Sequence, residues 1–228
     1  AGLRFVQKLI EKGADVSLLT EKGQNLLSTA CMGGNLEVVK YLVEEKGFEA
    51  KGTGKEYYTD DGYPPLHSAA KCGHLSVVEY LVEQGGADAN LHRHELHMRP
   101  IQLACVNGHY DVVKYLITKG ADINVKLKTR DDAGVTCLHL AAGYGFPNVV
   151  ELLLSSGMDV LQRTEVTNSS AIDFALRRQQ YSVVKVLCEH GAISDEVTLQ
   201  LAVQTGDEEV LKWVESVQKD KSTGDAEE

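Results

Sequence analysis

Few side chains in this 228-residue chain are spaced for chemistry. The densest cluster is His92-Arg93-His94-Glu95-Leu96-His97, three histidines in six residues. That count is enough for a metal ion. The same composition describes an exposed polar finger, which would touch a partner rather than zinc. His67 and His139 stand alone and lack the orienting partner that a general base requires. The five cysteines, Cys31, Cys72, Cys105, Cys137 and Cys188, are odd in number, widely spaced and free of any C-x-x-C. They suggest neither a disulfide framework nor a zinc cluster, and reduced thiols in an intracellular compartment fit best. No Cys–His or Ser–His–Asp constellation follows from the spacing, and no glycine-rich phosphate loop is present. The expectation is a protein that is not an enzyme, with no metal and no cofactor.

The formal net charge of −10 argues against nucleic acid as the partner, because phosphate binding needs a basic face. No apolar run approaches the roughly 18 residues needed to cross a bilayer, so no membrane insertion is expected. No signal peptide is visible. The expected location is cytoplasmic, with the nucleus open. The chain starts on Ala1 inside a repeating unit, which suggests a fragment of a longer protein.

What positions the remaining side chains is an internal repeat. Aligned on Ala30, Ala69, Ala104, Ala141, Ala175 and Ala202, units recur at intervals of 39, 35, 37, 34 and 27 residues. Four residues on stand Gly34, Gly73, Gly108, Gly145 and Gly206, with Gln179 the exception. An aliphatic pair follows, as in Val77-Val78, then Leu42, Leu81, Leu116, Leu153, Leu187 or Val214. The best copy runs from Pro64 to Asn90. It reads as two antiparallel helices: a short one from Pro65, where the missing N–H costs nothing, to a glycine stop at Gly73. The second is amphipathic, with Val77, Val78, Leu81 and Val82 on one face. One such unit cannot bury its own apolar face, so neighbours must stack into a solenoid.

The pattern resembles the ankyrin repeat: T-P-L-H-x-A-A, then Gly-His, an aliphatic pair and Gly-Ala-Asp. Pro64 to Asn90 matches closely; Leu138, His139, Ala141, Ala142 and Gly145 match again, as do Gly108-His109 and Gly120 to Asn124. Asn25 to Ser28, Arg99 to Gln102 and Ser170 to Asp173 depart from T-P-L-H, so their first helices are expected to sit slightly differently. The resemblance implies an all-α solenoid of ankyrin repeats. The expected domain spans 1–217, with a partial repeat at 3–20, repeats near 21–50, 59–90, 94–127, 131–163 and 165–194, and a cap at 195–217. A disordered acidic tail is expected over 218–228. Two fingers, from Gly47 to Gly62 and from Val125 to Gly134, are longer than the pattern needs.

The resemblance also implies the roles. The T-P-L-H histidine bonds backbone in its own turn and ties neighbouring units together. Partners dock on the groove made by finger tips and the exposed side of the first helices. Those positions are Tyr63, Lys71 and Cys72 in one unit, Met98, Val106 and Asn107 in the next, Val135 and Tyr144 in the next, then Arg177 and Arg178. Tyr57 and Tyr58 lie on a long finger and Arg93 on another. Tyr, Met and Arg are enriched among interface anchors. Segments 91–99, 125–134 and 161–180 hold eight basic and five acidic residues, so a locally basic groove would steer an acidic or phosphorylated segment toward it. Asn124, with Leu116 eight residues before it, matches the site that asparaginyl hydroxylases modify in some members of the family. The expected function is a protein–protein interaction scaffold. The alternative is a regulatory or substrate-recruiting domain of a larger enzyme or channel.

Overall fold

The computed structural model describes residues 2–21, 23–53, 63–92, 98–128, 133–192 and 195–224. Among the described residues there are thirteen helices and no strand beyond one antiparallel bridge, Arg163 to Ser170. They form two compact units, residues 1–122 and 123–228.

In the first unit α1 (Gly2–Glu11) precedes three helix pairs: α2 (Leu26–Met32) with α3 (Leu36–Glu44), α4 (Pro65–Cys72) with α5 (Leu75–Glu83), and α6 (Pro100–Val106) with α7 (Tyr110–Thr118). The short helices α2, α4 and α6 pack side by side, and α3, α5 and α7 form the layer behind them. The second unit repeats the plan. The first layer is α8 (Cys137–Tyr144), α10 (Ala171–Arg177) and α12 (Glu196–Thr205). The second is α9 (Pro147–Ser155), α11 (Tyr181–Glu189) and α13 (Glu208–Gly224).

Seven- or eight-residue helices are too short to persist alone in water, so packing must hold them. Ala69, Ala104, Ala141, Ala175 and Ala202 are fully buried, and their single methyl groups let the first helices approach closely. Behind them Val77, Val78 and Leu81, and their counterparts Val149, Val150 and Leu153, are also fully buried. Truncating one of these leucines to alanine removes burial and leaves a cavity, at a cost of about 2–5 kcal/mol. Cys31 and Cys105 are fully buried in the first-helix layer, as small apolar side chains.

Two of the units that depart from T-P-L-H, at Arg99 and Ser170, are capped by the device of the Thr136 unit in different chemistry, whereas at Asn25 the N-cap side chain accepts from Ser28 N–H at 2.9 Å. The Thr136 N–H meets His139 Nδ1 at 3.4 Å, the Arg99 N–H meets Gln102 Oε1 at 3.0 Å, and the Ser170 N–H meets Asp173 Oδ2 at 2.8 Å. In each case the third helical residue reaches back to the N-cap N–H. His139 Nε2 also faces the Ser169 carbonyl of the next repeat at 3.2 Å, and Asp173 Oδ1 accepts from the Thr198 hydroxyl at 2.8 Å. One residue thus both closes its own turn and holds its neighbour.

The residues expected to open a tail at 218 instead continue α13 to Gly224. Gln218, Lys219, Asp220 and Lys221 include good helix formers, and a helix already nucleated by packing extends at little cost. Residues 225–228 lie outside the described ones. At the other end α1 packs on α3 and buries none of its residues.

Candidate interaction surface

Side chains outside the repeat pattern meet beside the first helices of each unit. In the first, Tyr63 precedes α4 and Lys71 lies in its last turn; the Lys71 Nζ sits 4.6 Å from the Tyr63 ring centroid. Both are half-buried. One repeat on, Met98 and Val106 occupy the same two positions and are half-buried too, giving an apolar step beside the charged one. Asn107 is exposed, and its Nδ2 donates to the Leu103 carbonyl at 2.8 Å, satisfying a helix C-terminus.

In the second unit Tyr144, the last residue of α8, is 49% exposed. The guanidinium of Arg178, its counterpart one repeat on, lies 4.4 Å from the Tyr144 ring centroid. A cation over an aromatic face at this distance is a cation–π contact. Gly143 makes room for it. A side chain there would meet the Phe174 ring at 3.4 Å and the Arg178 Cδ at 3.7 Å. Arg177 is exposed, and its Nη1 donates to the Ser169 hydroxyl at 2.8 Å.

Val135, expected on the groove, is buried, with 3% of its surface exposed. Its carbonyl accepts from Leu127 N–H at 2.8 Å, while Gly134 N–H donates to the Leu127 carbonyl at 3.0 Å. These bonds close the base of the long finger and turn Val135 and Leu127 inward. Tyr57, Tyr58 and Arg93 lie outside the described residues, as do His94, Glu95, Leu96 and His97 of the histidine cluster. Asn124 is exposed.

Three of the eight basic residues in segments 91–99, 125–134 and 161–180 are paired with carboxylates within the fold. Lys126 pairs with Glu165 at 3.3 Å and Arg163 with Asp195 at 2.8 Å, and Arg99 lies 3.7 Å from Asp122. Partial burial alone would raise the Asp195 pKa. The bonds from Thr198 and the Arg163 guanidinium outweigh it and hold the carboxyl below its usual range. Among the described residues neither Arg177 nor Arg178 has a carboxylate within ion-pair distance.

Two repeating features were visible in the sequence but carried no expectation. The Gly-His histidines reach back one repeat: His74 Nε2 lies 2.8 Å from the Met32 carbonyl and His109 Nε2 2.9 Å from the Lys71 carbonyl. On the second helices Tyr80 donates to Glu44 at 2.9 Å and Tyr115 to Glu83 at 3.2 Å. Desolvation, helped by the glutamates, pushes both phenols up to about 12. The constant offset of these tyrosines within the repeat was the available signal.

Among the described residues no group of three or more His, Cys, Asp or Glu is placed to hold a metal ion, and no helix is long and apolar enough to cross a membrane. Burial pushes the Cys31 thiol up, and the Cys188 thiol up to about 11, so both stay protonated and unreactive. A hollow of about 430 Å³ lined by Val16, Leu19, Lys46 and Phe48 opens in the first unit.

A family model described as ankyrin repeats, in three copies, matches residues 1–93, 51–127, 85–165 and 126–198. Over 44 residues the chain is 48% identical to "Ankyrin repeat domain-containing protein 63" of Homo sapiens, and equally to that of Mus musculus. The match takes in 19% of this chain and 12% of the human protein or 11% of the mouse one. Repeats of this kind are in general protein–protein interaction modules rather than catalysts. The four overlapping matches, the thirteen helices and the recurrent Ala, Gly and aliphatic positions agree, and the chain belongs to the ankyrin repeat family as an all-α repeat solenoid.

Proposed function

We propose that the chain is a non-catalytic intracellular scaffold that binds a protein partner through its finger bases and the ends of its first helices. What supports this reading is that the residues outside the repeat pattern gather at those positions and do not enter the core. Tyr63 with Lys71 and Tyr144 with Arg178 are held against each other while still reaching solvent. Rigid, pre-positioned aromatic and basic side chains lower the ordering cost of binding. The apolar step at Met98 and Val106 would take an aliphatic or aromatic side chain of the partner. An acidic or phosphorylated segment would be drawn to Arg177 and Arg178. Asn124 is the position at which a hydroxylase would act, and mass spectrometry of the protein from its native cells tests that directly.

The test of the surface is site-specific photo-crosslinking in extract of the native cells. A photo-reactive residue is placed at Val106 or Tyr144, or at Lys114 or Lys185 on second helices as controls. Adducts to a discrete protein at the first two positions and none at the controls are expected. Adducts confined to Lys114 and Lys185 would overturn the reading.

A further inference from the structure

The second unit carries a feature found in no other repeat among the described residues. Tyr144 and Arg178 occupy equivalent positions in adjacent repeats; in the first unit those places hold Cys72 and Asn107, and the Asn107 amide is spent on the Leu103 carbonyl. Arg178 reaches its partner ring because Gly143 leaves the surface of α8 bare, so the arginine stem lies within 3.7 Å of where a side chain would start. Stacking engages the flat face of a guanidinium and leaves its N–H groups in plane, where they match a carboxylate in bidentate fashion. The basic side chains Lys126 and Arg163 of the same unit already have carboxylates, Glu165 and Asp195. Among the described residues Arg178 has none, and the neighbouring Arg177 donates to Ser169.

Resting on the interaction surface proposed above, we infer that Tyr144 and Arg178 form a receptor for a single Asp or Glu carboxylate in an extended segment of the partner. Tyr144, a residue 49% exposed, orients the guanidinium and presents the uncovered part of its ring to the residue beside that carboxylate. Recognition is by one oriented fork, not by a diffuse positive field. One fork with one neighbouring arginine suits a single negative charge; a phosphate dianion calls for a larger cluster of donors.

The test uses the full chain on an array of ten-residue peptides whose central residue is Asp, Glu, Asn, Gln or phosphoserine and whose flanks are varied. Asp and Glu peptides are expected to bind at least fivefold better than their Asn and Gln counterparts. Arg178→Gln and Tyr144→Leu should abolish that preference, Tyr144→Phe should keep it, and Lys185→Gln, which removes the same charge from a second helix, should leave it intact. Equal binding of Asp and Asn peptides, a dominant preference for phosphoserine, an equal loss with Lys185→Gln, or no peptide bound would each overturn the receptor. Crosslinks at Val106 and Tyr144 with no acid preference would overturn the receptor alone; crosslinks at neither would remove the surface as well.

Discussion

The imidazole Nε2 of His109 lies 2.9 Å from the carbonyl oxygen of Lys71, one repeat earlier in the chain. The ring is laid over Gly73, so the residue that ends one helix is covered by the residue that begins the second helix of the next repeat. Gly73 has φ +77°, a left-handed conformation, and a side chain there would also collide with the imidazole. Gly73→Ala is therefore expected to lose about 1–2 kcal/mol from the backbone conformation, and more from displacing His109. Urea unfolding monitored by circular dichroism measures it. A loss below about 0.5 kcal/mol would show that the staple carries little.

Gln179 gives the complementary case. It sits where the other repeats have glycine, and it adopts φ +58° all the same. The packing of α10 and α11 imposes the turn on a side chain that disfavours it. Gln179→Gly should raise stability by about 1 kcal/mol, the lower part of the penalty for a left-handed residue. A destabilised variant in the same urea assay would mean that the Gln179 side chain holds something that its backbone does not.

These two positions show what could be read from the sequence and what could not. The register of Ala69, Gly73, Val77, Val78 and Leu81 fixes helix pairs and core because each residue type has a single physical use at its place. Gln179 was legible as an exception, but its backbone angle is a tertiary outcome. Gln102 and Asp173 likewise differ from histidine in type and agree in geometry, since any acceptor at the third helical position caps the turn. The surface was harder to read. Position alone put Val135 on the groove, whereas the two backbone bonds to Leu127 turn it inward. Counting basic residues did not show that Lys126 and Arg163 pair with Glu165 and Asp195; ion pairs between distant segments leave no spacing rule. That Arg178 would lie on Tyr144 depends on the missing side chain of Gly143, which no charge or hydropathy pattern records.

His139 should make stability depend on pH. It is fully buried, takes the Thr136 hydroxyl at 2.9 Å on Nδ1 and donates from Nε2 to the Ser169 carbonyl. Burial, outweighing the Ser169 and Gln162 bonds and the charge of Asp173, pushes its pKa down to about 4. An unfolded histidine titrates near 6.5. Between these values the unfolded chain binds a proton that the folded one refuses, so the contribution of His139 is complete above pH 6.5 and lost as pH falls toward 4. The full span amounts to about 3 kcal/mol. Gln102 caps the equivalent turn in the third repeat, so His139→Gln should fold and should flatten the fall in stability between pH 7 and pH 4.5. Identical pH profiles for the two proteins would remove His139 as the cause.

Gly143 separates stability from binding. It lies within α8, where glycine is a poor helix former, and an alanine methyl would meet Phe174 at 3.4 Å and Arg178 at 3.7 Å, ordinary contact distances. Gly143→Ala should therefore fold and gain about 0.5–1 kcal/mol, because the unfolded chain loses freedom and helix propensity improves. A longer side chain cannot share that space with the Arg178 stem. Gly143→Leu should push the guanidinium off Tyr144 and lower binding of acidic peptides at least fivefold, while an intact far-ultraviolet spectrum shows that the helices persist. If Gly143→Leu binds as the parent does, the stacking of Arg178 on Tyr144 has no part in recognition, and Arg178 reaches its ligand from some other conformation.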